Sequence, residues 1–399
     1  MTSIVEFGRP DTLPASDKRL LLVFDGGNAP GYSSVAVALT EEAARRGFEV
    51  WAATEGFRSL TADARAQPHF ERLIMSRRQR YSLLAQGIPA RSMGRRVLDA
   101  GSDFRSERYT GFLDREKRKQ AAVTFKEQGF THLICVGGNG TFEGIKAWLD
   151  EFEVRPQSGF VNVSIDNDLE GDRAIGFLSG VETGANIARG LYEDAYTHKR
   201  IYILEMMGNR SGRHALHCAV AARAHLIVLP FFRFPQDVLG ELAEGLGRAD
   251  YALVIVAEGY EAERRRKEHP GVSASVFLKQ QLEGAGLRDT PDKRVIAEPF
   301  SRYIRGIRPA FLDVSAAFLK ASLLLSAFDE GRTEVMPYVL AANDVGVLDF
   351  ASIRREDGVE RAFLPLLDRL DLQRFKTWIL DHFISLGGGR TSRAPGSHG

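Results

Sequence analysis

Residues 161–172 read V-N-V-S-I-D-N-D-L-E-G-D, a short apolar run that gives way to Asp166, Asp168, Glu170 and Asp172. Asp166 and Asp168 stand two apart. In extended backbone alternate side chains share a face, which would aim both carboxylates into one cleft. Asn167 between them tolerates the left-handed turn conformation. Two neighbouring carboxylates can divide a task, one accepting a proton while the other helps to hold a metal. A polar turn with a helix cap is the plainer explanation, and on this stretch alone it is the stronger one. Two glycine-rich strand exits upstream shift the balance toward chemistry.

The first exit follows residues 19–25, R-L-L-L-V-F-D, a compact apolar run that predicts a buried strand. Residues 26–31, G-G-N-A-P-G, are a tight turn, and 33–46 repeat apolar and small residues at helical spacing until Gly47 stops them. Residues 48–53 form a second strand. Strand, glycine turn, helix, strand is the opening of a parallel α/β sheet. The second exit repeats the pattern. A charged amphipathic helix over 114–128 is closed by Gly129, and a strand over 131–136 leads into the turn G-G-N-G-T at 137–141 and a helix to about 150. The strand at 160–163 feeds the acidic stretch.

Further on, helices are expected over 175–196 and 213–223, and strands over 200–205, 226–229 and 253–257. Residues 260–267 read as a charged loop or helix end, and 311–328 as a strongly apolar helix. The arginine-rich segment 57–110 shows no clear period. Residues 359–383 suggest a peripheral helix that starts or breaks at Pro365, and 387–399 a disordered tail. The expected division is a lead-in at 1–18, an α/β domain at 19–345, and a C-terminal helical extension and tail at 346–399.

With 399 residues, 44% of them hydrophobic, the chain can bury one large or two ordinary cores. Lys plus Arg number 53 against 52 acidic residues, a net charge of +1, which argues against nucleic acid or an anionic membrane as main partner. Local arginine clusters could still hold a small phosphorylated ligand. Cys135 and Cys218 sit in apolar or helical stretches and read as buried thiols, which suits a reducing cytoplasm. No secretory leader and no apolar stretch long enough to cross a membrane is expected. His214 and His217 lie three apart on an expected helix; without a third ligand, a packed or solvated pair outweighs a metal site.

Taken in order, G-G-N-A-P-G at 26–31, G-G-N-G-T at 137–141, S-I-D-N-D at 164–168, R-I-Y-I-L-E-M-M-G at 200–208 and A-E-G at 257–259 resemble the ATP- and pyrophosphate-dependent phosphofructokinase family. R-Y-I-R-G-I-R-P at 302–309 matches more loosely. The resemblance covers about residues 19–340. It implies two Rossmann-like α/β lobes with the active site in the cleft between them, and a homo-oligomer, dimer or tetramer. Glycines at strand exits let backbone N–H groups approach phosphate oxygens, and a following helix N-terminus adds partial positive charge. Gly26, Gly27, Gly137, Gly138, Asn139, Gly140 and Thr141 would thus cradle the phosphoryl donor.

By the same resemblance, Asp166 removes the proton of the acceptor hydroxyl. Asp168, with Asn139, helps organise Mg2+. Ser164 replaces a threonine whose hydroxyl contacts the moving phosphoryl group, and Arg105 could meet that group. Arg200 and Arg305 would grip the acceptor's phosphate, with Arg294 a looser candidate, because guanidinium forks suit phosphate. Met207 and Gly208 match a sugar-contacting pair, and Glu258 a carboxylate that accepts from sugar hydroxyls.

Several positions depart from the family pattern. Asn139 and Asn28 stand where aspartates are usual, and the loss of charge weakens binding of a hard cation. Asn209 takes the place of an arginine, with Arg210 one residue late, and Arg302 takes that of a histidine. Gly140 leaves room for a nucleotide where pyrophosphate users carry aspartate, and Val163 replaces their lysine. ATP is therefore the favoured donor and pyrophosphate the alternative. The leading expectation is a Mg-dependent phosphotransferase acting on a phosphorylated sugar such as fructose 6-phosphate. A non-catalytic ligand-binding paralogue and a kinase with a changed acceptor remain open.

Overall fold

Continuous apolar runs place the central strands. In β1 (Arg19–Phe24) every residue from Leu20 to Phe24 is buried, as are Leu133–Val136 in β5 (His132–Gly137) and Phe160 and Val161 in β6 (Gln157–Asn162). Strands covered on both faces need such runs, and parallel sheets are of this kind. The computed structural model describes residues 16–300, 302–341 and 343–354. The expected helix over 359–383, the tail at 387–399 and nearly all of the lead-in at 1–18 lie outside the described residues.

The fold falls into two units. The first runs to Gly180 and resumes at Tyr303; the second spans Val181–Arg302. The first holds an eight-stranded sheet that also contains β2 (Glu49–Ala53), β3 (Phe70–Ile74), β4 (Ala90–Ser92), β11 (Val335–Ala341) and β12 (Asp344–Asp349), in the order β12-β11-β6-β5-β1-β2-β3-β4. β1 pairs in parallel with β2 and β5, and β5 with β6. Antiparallel pairs join β2 to β3 and β11 to β12.

Alternation along the strands sorts the helices. Leu21 and Val23 of β1, with Leu133 and Cys135 of β5, pack into an aromatic cluster with Phe125 of α3 (Arg115–Glu127) and with Phe142, Ile145 and Trp148 of α4 (Asn139–Leu149). α1 (Tyr32–Arg45) packs along α10 (Phe311–Asp329), which also packs on β11.

The second unit carries a four-stranded parallel sheet ordered β10-β7-β9-β8, made by β7 (Ile201–Met206), β8 (Leu226–Val228), β9 (Ala252–Ala257) and β10 (Val295–Glu298). α6 (Arg213–Ala222), α7 (Gln236–Arg248) and α9 (Ala274–Gly284) bury their apolar faces in its core. α5 (Phe177–His198) spans the division at Gly180. Both cysteines are buried free thiols.

The structure differs from the sequence expectations in four places. The segment 57–110 is not featureless: it contains β3, α2 (Arg77–Ala85) and β4, elements too short or too polar to show a period. Residues 260–267 largely form a helix, α8 (Ala262–Glu268). β12 carries the first sheet past residue 345, because it pairs with β11 from Val335↔Asp349 to Ala341↔Asp344. The apolar run expected to be too short for a membrane forms α10, which by length and composition alone could cross one; half of its apolar window is buried within the fold.

Candidate active site

β1, β5 and β6 are neighbours and run parallel, so their carboxyl ends lie side by side. β1 has β2 on one flank and β5 on the other. The chain therefore leaves β1 one way and returns on its far side, which creates a topological switch point. An open α/β sheet leaves a crevice beyond its strand ends at such a point. The three ends carry the two glycine turns and the acidic stretch singled out in the sequence.

The first turn starts at Asp25. Gly26 and Gly31 adopt φ 95° and 99°, which side chains rarely allow, and Gly31 caps α1. The Tyr32 hydroxyl donates to the Asp25 carbonyl at 2.8 Å and holds the turn closed. The second turn begins at Gly137, where a Cβ would lie 2.5 Å from the Asp25 carbonyl oxygen and collide with the Thr141 hydroxyl. Gly138 caps α4, whose first turn is Asn139–Thr141. The amides of that turn have no partner within the helix and carry its positive dipole end, the usual setting for an anion. A Cβ on Gly140 would meet nothing within 4 Å, so the space above it is open.

Asp25 is a site residue that sequence reading missed. It is buried, and its Oδ2 accepts from Thr141 Oγ1 at 3.3 Å. Burial pushes its carboxyl up to about 7, against the opposing pull of that hydrogen bond. The signal was available: an acidic residue closes an otherwise apolar buried strand.

The acidic stretch is a tied loop rather than an extension of β6. Val163 bridges to Ile175, and Ser164 N donates to Ile175 O at 2.9 Å. Ser164 Oγ accepts from Asp166 N at 3.0 Å, and Asn167 Oδ1 accepts from Ala174 N at 2.8 Å. Asn167 has φ 51°, as its residue type allows. The extended alternation expected to align Asp166 with Asp168 is thereby broken, because a left-handed residue intervenes. Asp166 is half-buried, whereas Asp168 is buried and accepts from Asn139 Nδ2. Ser164 stands beside the second turn: a Cβ on Gly138 would lie 3.4 Å from its Oγ. Contacts thus run from the first turn through Asp25, Thr141 and Asn139 to Asp168.

Asp172 belongs elsewhere. It forms a fully buried ion pair with Lys320 at 2.6 Å and accepts from Val339 N at 3.2 Å. Burial pushes its carboxyl up and the Lys320 ammonium down, each partly offset by the other. Glu170 is exposed.

Two guanidinium groups reach the first turn. Arg305 Nη1 donates to Asn28 O at 3.2 Å and lies 2.6 Å from where a Gly27 Cβ would stand; Arg108 Nη2 lies 3.6 Å from the same point. Arg108 was not anticipated, and nothing in R-S-E-R distinguishes it from Arg105. Arg105 has an exposed side chain, and its backbone N donates to Thr54 O at 3.2 Å.

In the second unit, β7 and β9 end together, with Met206 opposite Ala257. Met207 is buried, and Gly208 and Asn209 adopt φ 127° and 47°. Glu258 Oε2 accepts from Asn209 N at 3.3 Å, so Met207, Gly208, Asn209 and Glu258 meet at one pair of strand ends. The second-unit arginines engage local carboxylates: Arg200 with Asp194 at 3.1 Å, Arg294 with Asp289 at 2.8 Å, and Arg210 with Glu263 at 3.2 Å. Arg302 is exposed. His214 is fully buried on α6, and burial pushes the His217 imidazole down.

Among the described residues no three His, Cys, Asp or Glu side chains are grouped to hold a metal. Mg2+ is commonly held by one or two carboxylates plus substrate phosphates; Asp168 is the buried carboxylate of the acidic loop, and one of its oxygens is engaged by the Asn139 amide.

Known proteins resemble the chain throughout this region. The model of the family described as phosphofructokinase matches residues 19–323. The chain is 27% identical to the ATP-dependent 6-phosphofructokinase of Coxiella burnetii over 80% of its own length and 87% of that protein. It is 30% identical to the Aquifex aeolicus protein of the same description, over 61% of the chain and 70% of the relative. Among solved structures it is similar to phosphofructokinase from Saccharomyces cerevisiae, at TM-score 0.67 and 20% identity, over 92% of this chain and 50% of that one. It is also similar to the pyrophosphate-dependent phosphofructokinase of Marinobacter aquaeolei, at TM-score 0.64 and 17% identity, over 84% of this chain and 83% of that one. The chain thus spans about half the length of the yeast chain.

Proposed function

The chain belongs to the phosphofructokinase family, and from that premise we propose that it is a kinase that transfers the terminal phosphoryl group of ATP to a hydroxyl of a phosphorylated sugar. The observation that carries this reading is the meeting of two glycine turns and the Asp166–Asp168 loop at the switch point of one sheet. Phosphoryl transfer needs little covalent help from a protein; positioning and charge neutralisation supply most of the acceleration.

The amides of Gly26, Gly27 and Gly137–Thr141 bind donor phosphate oxygens. Arg305 and Arg108, which reach the first turn, neutralise their charge. Asp166 takes the proton of the acceptor hydroxyl as its oxygen attacks phosphorus; the bond to the bridging oxygen breaks and ADP leaves. Ser164 orients the moving group from beside the second turn. Mg2+, held by Asp168 together with the donor's phosphate oxygens, would neutralise charge on those phosphates. Met207, Gly208, Asn209 and Glu258 recognise the sugar, with Arg200, Arg210, Arg294 and Arg302 the reserve of positive charge for its phosphate. The open space above Gly140 supports ATP over pyrophosphate as donor.

One observation favours a second reading, a ligand-binding paralogue without catalysis. The Asn139 amide occupies an Asp168 oxygen that a metal would otherwise use. Incubation with Mg2+, ATP or pyrophosphate and a panel of sugar phosphates led by fructose 6-phosphate separates the two. ADP formation dependent on one acceptor supports the kinase, and binding without turnover across the panel supports the paralogue. A changed acceptor would show as turnover with another member of the panel.

A homo-oligomer is part of the proposal. Phe311, Leu312, Phe318 and Leu319 are exposed on α10 at spacings that share a face, and apolar patches of this kind mark association surfaces. Light scattering on the purified protein tests this: a monomer mass at micromolar concentration would remove it. Two buried free thiols fit a cytoplasmic setting.

A further inference from the structure

The charged run E-R-R-R-K at 263–267 has no part in the site described above, yet one of its cations turns inward. Arg264 pairs with Glu268 at 2.8 Å and with Glu261 at 3.1 Å, and Arg266 and Lys267 are exposed on α8. Arg265 is half-buried and directs its guanidinium at backbone instead. Its Nε donates to Tyr260 O at 2.9 Å, its Nη1 to Val272 O at 2.8 Å, and its Nη2 to Glu258 O. All three nitrogens are bonded to carbonyl oxygens, while the charge faces the carboxylates of Glu205, Glu258 and Glu261.

The carbonyl of Glu258 is the one that bears on the site. Glu258 follows the last residue of β9, and its N–H donates to Met206 O at 2.8 Å, one step past the β7–β9 ladder. Its C=O is held by Arg265. Both peptide groups that flank its Cα are therefore fixed, which sets the direction in which the side chain leaves the backbone. The carboxylate then accepts from Asn209 N at 3.3 Å. The turn that follows is tight. A Cβ on Gly259 would lie 2.2 Å from Asn209 O, and Glu261 holds φ 42°, which side chains seldom adopt. Such a backbone persists only where surrounding bonds over-determine it, and charge-assisted bonds from a planar guanidinium are stronger than neutral ones. We infer that Arg265 is a positioning residue for the acceptor: through the backbone at 258–260 it aims the Glu258 carboxylate at the sugar hydroxyls without touching the ligand itself. The inference rests on the reading of Glu258 as a sugar contact. An arginine that only braced α8 would leave the aim of that carboxylate unchanged.

Steady-state kinetics with fructose 6-phosphate and ATP, together with hydrogen exchange on the full chain, test this, with Tm confirming that each variant is folded. In Arg265→Met the amide of Asn209 should exchange faster, and KM for the sugar phosphate should rise about tenfold with KM for ATP unchanged. Arg265→Lys, which keeps the charge but presents one ammonium in place of a fork, should show the same split at smaller size. Arg266→Met removes the same charge from the same helix and should change neither readout. Adding Arg265→Met to Glu258→Ala should raise the sugar KM no further than Glu258→Ala alone, because the arginine acts through that carboxylate. Additive losses in the double variant, or a sugar KM and Asn209 exchange in Arg265→Met equal to wild type, would overturn the inference and leave the sugar reading standing. A wild type that neither binds nor turns over the sugar phosphate would overturn both.

Discussion

The hydroxyl of Thr141 donates to the Asp25 carboxylate at 3.3 Å, which ties the turn after β1 to the turn after β5. Burial raises the Asp25 pKa to about 7, whereas an unfolded chain titrates near ~3.9. Between those values the native protein keeps a proton that the unfolded chain has lost. The stability from this group is therefore fully present below about pH 4 and is lost as pH rises through about 7. Asp25→Asn should remove that slope. Tm measured from pH 5 to 8 should fall in the wild type and stay flatter in the variant; parallel curves would contradict the assignment.

Gly137 leaves no room for a side chain between β5 and the first turn. Gly137→Ala should cost roughly 1–3 kcal/mol through overpacking, and should weaken ATP binding because both turns shift. Denaturant midpoints and nucleotide titration measure the two effects. A variant as stable as the wild type would show that the close approach is not rigid.

The Lys320–Asp172 pair tests what holds the first unit together rather than what it catalyses. Lys320→Met strands a buried carboxylate and should destabilise by ~3–5 kcal/mol. Adding Asp172→Leu should recover part of that loss. Chemical denaturation of the single and double variants decides this; simple additivity would mean that the two groups do not act as a pair.

On the proposed reading, donor choice rests on the open space above Gly140. A carboxylate placed in the open space above it would repel a nucleotide's inner phosphate. Gly140→Asp should raise KM for ATP about tenfold or more, equivalent to ~1.4 kcal/mol, while pyrophosphate turnover suffers less. Equal losses with both donors would remove Gly140 from the selectivity account.

The parts of this arrangement that were readable in the chain are those governed by local physics. Leu20–Phe24 and Leu133–Val136 had to be buried strands, and the glycines after them had to be turns. Asn167 was legible as a left-handed residue, yet the consequence, that Asp166 and Asp168 no longer alternate, depends on bonds from Ala174 and Ile175. Arg305 was singled out through its motif, but for the acceptor's phosphate; that it and Arg108 stand over Gly27 is a long-range outcome that local sequence does not show. β3 and β4 were hidden because short, arginine-bearing strands carry no apolar period. α10 was plain as an apolar helix, but its length was underestimated as a membrane criterion.

The central claim is that Asp166 accepts the acceptor's proton. Steady-state turnover of ATP with fructose 6-phosphate and Mg2+, wild type against Asp166→Asn, tests it most directly, with Tm confirming that both are folded. Loss of a general base should lower kcat by about 10²–10⁴-fold with KM for ATP little changed. Turnover that survives the substitution undiminished would contradict the account.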